Sequence, residues 1–105
     1  MLMKTIAVIC NNKSEWQLFH DTLTFSLTKQ NKPYKSMCAD RFKPSVICSI
    51  KDNTSYIHLP CNAYMVKEIM QIFKLEIDSV VWMCNIDESV LGVLFREGDL
   101  WLNLN

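Results

Sequence analysis

Apolar positions in this chain come either as short unbroken runs or at helical spacing, and the two alternate. Lys4–Cys10 (KTIAVIC) is β-branched and apolar at successive positions, the pattern of a central strand covered on both faces. The polar stretch 11–15 breaks it, and Asn12 with Glu15 three residues on forms a capping-box-like helix start. Trp16, Phe19, Leu23 and Leu27 follow at helical spacing and predict a helix over 13–28. Leu18 and Phe25 fall on another face, giving this helix more apolar surface than one sheet contact uses.

Residues 29–44 are polar, basic and bounded by Pro33 and Pro44. They read as a long loop with a short strand at Tyr34–Cys38. Ser45–Lys51 and Ser55–Leu59 are strand-like runs joined by Asp52-Asn53, a tight hairpin turn. Asn62 caps a second helix running to about Lys74, with Ala63, Val66, Met70 and Phe73 as its inward stripe and Ile69 beside it. Val80–Cys84 is a further apolar strand. Asn85–Ser89 reads as a turn, Val90–Arg96 as a strand, and Asp99–Leu104 as a last strand after the turn at Glu97-Gly98. In that last run Leu100, Leu102 and Leu104 share one face while Trp101 and Asn103 share the other.

Short links between successive strands favour antiparallel hairpins. The expected fold is therefore α+β: one domain over 1–105, a mostly antiparallel sheet of five to six strands, and two helices packed on it. The alternative is a three-layer α/β sheet, because Lys4–Cys10 and Val80–Cys84 both have the composition of strands buried on two sides.

Composition narrows the setting. Half the residues are hydrophobic, yet the longest apolar runs are far shorter than the roughly 20 residues a membrane helix needs. The first residues lack an extended apolar stretch with a cleavage site, so a cytoplasmic protein without membrane contact is expected. Five cysteines make an odd number with no C-x-x-C pair, which suits reduced thiols rather than a disulfide framework. Scarce Gly, Ala, Arg and Pro beside abundant Lys, Asn and Ile is the bias of AT-rich codons, as in some phages and low-GC bacteria. Net charge is zero, but residues 29–51 are basic and residues 76–105 acidic, which fits a phosphate-binding surface or a protein complementing itself.

No constellation amounts to a catalytic signature. His20-Asp21-Thr22 contains an H-x-T triplet, but the other histidine, His58, is followed by Leu59-Pro60 and the triplet lies mid-helix. His58 and Cys61 have H-x-x-C spacing, two ligands where a structural zinc takes four and a catalytic zinc three. No metal or other cofactor is expected. Two glycines, Gly92 and Gly98, cannot form a glycine-rich phosphate loop. The dipeptide Cys-Asn recurs at residues 10, 61 and 84, each time closing a strand-like run or opening a turn. If those ends share one edge of the sheet, Asn11, Asn12, Asn62 and Asn85 converge there, with Lys35, Arg41 and Lys43 of the basic stretch able to meet phosphate. The competing reading is that each Asn is simply a cap or a turn residue. Trp82 and Trp101 lie on predicted strands near the acidic end, and an outward Trp101 beside Asn103 marks a contact surface.

These features favour a small non-enzymatic interaction or regulatory protein, such as a phage-encoded accessory factor, that binds another protein or a second copy of itself as a homodimer through Trp101, Asn103 and Trp82. The alternative is a small-ligand or nucleotide-binding protein, extending to a phosphate-ester hydrolase. A nucleic-acid binder using residues 29–51, with Tyr34 and Phe42 among its lysines, comes third because the domain has no basic excess.

Overall fold

The computed structural model describes residues 3–39, 44–85 and 88–94. Their order is β1 (Lys4–Cys10), α1 (Lys13–Lys29), β2 (Tyr34–Met37), β3 (Val46–Ser49), β4 (Thr54–Pro60), α2 (Ala63–Phe73), β5 (Ser79–Trp82) and α3 (Glu88–Leu94). The five strands form one sheet in the order β2-β3-β4-β1-β5.

The sheet is mixed, not mostly antiparallel. β2, β3 and β4 form an antiparallel meander, because their links are too short for anything but reversal. β1 pairs parallel with β4 on one side, Ala7 opposite Ile57, and parallel with β5 on the other, Ala7 opposite Val80. Helix-containing connections separate these strands in sequence, and such crossovers bring strands together parallel. The fully buried run Ala7–Cys10 of β1 reflects this central place.

Three helices, not two, are described, and they divide between the faces. Alternate residues of a strand point to opposite sides. Val8 and Cys10 of β1 pack with Ile47 of β3 and with Trp16, Phe19 and Leu23 of α1. Ala7 and Ile9 face the other way, onto Val66 of α2 and Val90 and Leu94 of α3. The fold is thus α+β as expected, but with a mixed sheet and three helices spread over both of its faces.

Asn12 accepts a hydrogen bond from the Glu15 N–H at 3.0 Å, and Asn62 accepts one from the Met65 N–H at 3.2 Å, so both helices start at their predicted caps. α2 ends at Lys74 in the left-handed conformation (φ 50°), with the Leu75 N–H reaching back to the Met70 carbonyl at 3.1 Å, the pattern that satisfies helix-end carbonyls. The expected strand Val90–Arg96 is replaced over its described part by α3. A run of alternating Val and Leu around one glycine has no decisive period, and Val90 and Leu94, four apart, bury one helical face. The last expected strand, Asp99–Leu104, lies outside the described residues. No helix among the described residues is long and apolar enough to cross a membrane.

Candidate functional site

Parallel pairing brings the carboxyl ends of β4, β1 and β5 to the same edge, with Cys10 opposite Pro60 and Ile9 opposite Trp82. The three Cys-Asn dipeptides therefore gather there. The Cys61 N–H donates to the Cys10 carbonyl at 3.1 Å, the Met83 N–H donates to the Ile9 carbonyl at 3.0 Å, and the Cys61 thiol donates to the Asn85 carbonyl at 3.3 Å.

Between the ends of β1 and β5 lies an open cleft of about 380 Å³, lined by Asn11, Glu15, Trp82, Met83, Cys84 and Asn85. Its position follows from the path of the chain. From β1 the chain reaches β4 on one side through α1, then returns past β1 to β5 through α2 on the opposite face. The loops after β1 and β5 consequently part to opposite faces and leave a crevice, the place where open sheets of this kind take ligands.

The expected site residues separate into three groups. Asn11 and Asn85 line the cleft. Asn12 and Asn62 stand at the same edge, but their side-chain oxygens are engaged as helix caps. Lys35 lies on β2, three strands from β1, or about 14 Å at the usual spacing, and so is not brought to the cleft. Arg41 and Lys43 lie outside the described residues, as do Trp101 and Asn103. Trp82, expected at an interface, is 1% exposed. It packs on the α2 side of the sheet because its strand is covered there, and it offers a protein partner almost no surface.

Glu15 was not singled out as a site residue, although its place three residues after Asn12 was visible. Its carboxylate accepts the Asn11 N–H at 2.5 Å while its own N–H is held by Asn12. The N-terminus of α1 at the cleft is thus already met by an anion. A phosphate placed there would have to displace Glu15 or sit against it, so the cleft favours uncharged or cationic groups. Burial pushes the Cys10 thiol up to about 12, with the Glu15 charge adding to the effect. Cys84 is likewise raised to about 12, by burial first and then by its hydrogen bond with Cys61. Among the described residues no group of three His, Cys, Asp or Glu side chains is placed to hold a metal ion.

A second polar cluster stands on the α1 face. His20 meets Ser36 Oγ of β2 through Nε2 at 2.8 Å and Asp21 Oδ1 through Nδ1 at 3.2 Å. The order carboxylate–imidazole–hydroxyl is that of a hydrolytic relay. Such relays work where water is excluded, whereas the Asp21 side chain is 67% exposed. The bond from His20 to Ser36 ties the edge strand to α1. The basic stretch is also partly engaged: Lys32 pairs with Asp52 at 3.0 Å, and the Lys29 ammonium sits 4.9 Å from the centre of the Phe25 ring.

No protein-family model, curated protein or solved structure matches this chain.

Proposed function

We propose that this protein binds a small, polar, uncharged or cationic ligand at the carboxyl edge of its sheet. The observation that carries the reading is the cleft between the parting loops of β1 and β5. Asn11 and Asn85 supply amide donors and acceptors, Glu15 supplies a carboxylate, and the buried Trp82 lies beneath them. Convergent polar groups of this kind fix the orientation of a small ligand. The Glu15 carboxylate argues against the nucleotide and phosphate-ester version of this reading.

Thermal-shift screening tests it with three sets of compounds: amines and amino acids, uncharged nucleosides, and phosphorylated metabolites. Stabilisation is expected from the first or second set and should disappear in Asn85→Ala. Glu15→Gln keeps an oxygen for the Asn11 N–H but removes the charge, and should weaken cationic ligands selectively. Stabilisation confined to phosphorylated compounds would overturn the reading.

A second reading is the binding of another protein, or of a second copy of this chain. It is supported by β2, a strand at the sheet edge whose four residues are all exposed, Tyr34 and Met37 among them. An extended segment could add to such an edge. Met37→Glu would then reduce association measured by sedimentation, and Trp101→Asp tests the contribution of the C-terminal residues. Unchanged association in both variants sinks this second reading.

A further inference from the structure

We propose that Cys61 and Cys84 form a thiol pair that peroxide converts to an intramolecular disulfide, joining the loops that follow β4 and β5. The two cysteines are 23 positions apart in the chain and follow strands that flank β1 without touching each other. Beyond the strand ends, however, the chain closes over β1. The Cys61 N–H is held by the Cys10 carbonyl at 3.1 Å, and the Cys61 thiol points to the loop after β5, donating to the Asn85 carbonyl at 3.3 Å. That carbonyl belongs to the residue next to Cys84, and Cys61 and Cys84 both pack against the same apolar cluster of the α2 face. Both are free and half-buried, whereas Cys10 beside them is buried and Cys38 and Cys48 belong to the β2–β3 part of the sheet. Solvent access together with a neighbouring thiol is what separates a redox-active pair from inert core cysteines.

The chemistry needs one oxidant, a peroxide. The Cys61 thiol loses its proton and attacks one peroxide oxygen, the O–O bond breaks, and the released hydroxide takes up that proton as the first water, leaving Cys61 a sulfenic acid. The Cys84 sulfur then attacks the Cys61 sulfur, the S–O bond breaks, and the hydroxyl departs with the Cys84 proton as a second water. Two thiols lose two electrons in total and the peroxide gains them. Cys84, whose thiol is raised by burial, is the poorer first nucleophile, and in the second step its proton passes to the departing hydroxyl as its sulfur attacks. Oxidation also removes the S–H that the Asn85 carbonyl accepts, so the loop bearing Asn85 changes its partner beside the cleft. The proposal concerns the thiols alone and holds whether or not the cleft takes a ligand.

The test uses the full chain, reduced and then exposed to hydrogen peroxide at low protein concentration. Remaining thiols are alkylated in denaturant and counted by mass. The count is expected to fall from the five of the reduced chain to three, with tryptic peptides 52–67 and 75–96 joined and separated again by dithiothreitol. Cys61→Ser should lose the link and retain every remaining thiol. Five thiols surviving in the oxidised protein, over-oxidation without a link, or a link through any other cysteine would overturn the assignment. Because the peptide map is made on the unaltered chain, the outcome does not depend on a variant folding.

Discussion

Trp16 has an imidazole on either side: His58 of β4 stacks on it at 5.2 Å and 14°, and His20 of its own helix lies at 6.4 Å and 58°. Phe19 and Tyr56 extend the same cluster, with ring centres 5.7 Å apart. His58 illustrates the cost of such packing. Its Nε2 is buried with no hydrogen-bond partner, and burial holds its pKa below the usual histidine value. A histidine depressed in the folded state leaves stability unaffected above the unfolded pKa, near 6.5. Below that, the unfolded chain takes up a proton that the native chain refuses, so stability falls as the pH drops from about 6.5 toward the folded value. Thermal midpoints measured from pH 7.5 down to 5 should decline, and His58→Phe, which keeps a ring against Trp16, should flatten that decline. An equal slope in the variant would show that other groups control it.

The two asparagine caps were legible at the scale of one helix because a cap involves only near neighbours: Asn12 with Glu15, Asn62 with Met65. Replacing Asn12 with Ala should cost about 1 kcal/mol in urea unfolding. The end of α2 holds the opposite opportunity. Lys74 occupies a left-handed conformation that costs a non-glycine residue about 1 kcal/mol, and Leu75 beyond it anchors in the apolar cluster. Lys74→Gly should therefore stabilise the protein by about 0.5–1 kcal/mol, which the same unfolding curves would measure; destabilisation would mean that the lysine side chain contributes more than its backbone loses. α3 was not legible in this way. Val90–Leu94 is too short and too uniformly apolar for its period to separate helix from strand, and only its packing against α2 and the sheet decides.

At the scale of the whole molecule, what escaped the sequence was strand direction. KTIAVIC was readable as a strand covered on both sides, and that is how β1 is used, yet nothing local in those seven residues names β4 and β5 as its parallel partners. The site was legible to the same degree. The recurrence of Cys-Asn marked three loop starts, but their convergence, the part of Glu15 and the burial of Trp82 all depend on the strand order. That order also makes β1 common to two apolar layers, Val8 serving the α1 side and Ile9 the side of α2 and α3. If the layers share their central strand, a cavity on either face should loosen the whole molecule rather than one layer. Ile9→Ala should cost about 2–5 kcal/mol, and Val8→Ala somewhat less because fewer atoms are removed. In both variants the unfolding curves followed by far-UV circular dichroism and by tryptophan fluorescence should still coincide. Trp16 reports on the α1 layer and Trp82 on the other, so two separated fluorescence transitions in Val8→Ala would mean that α1 melts from a sheet held together by its opposite face alone.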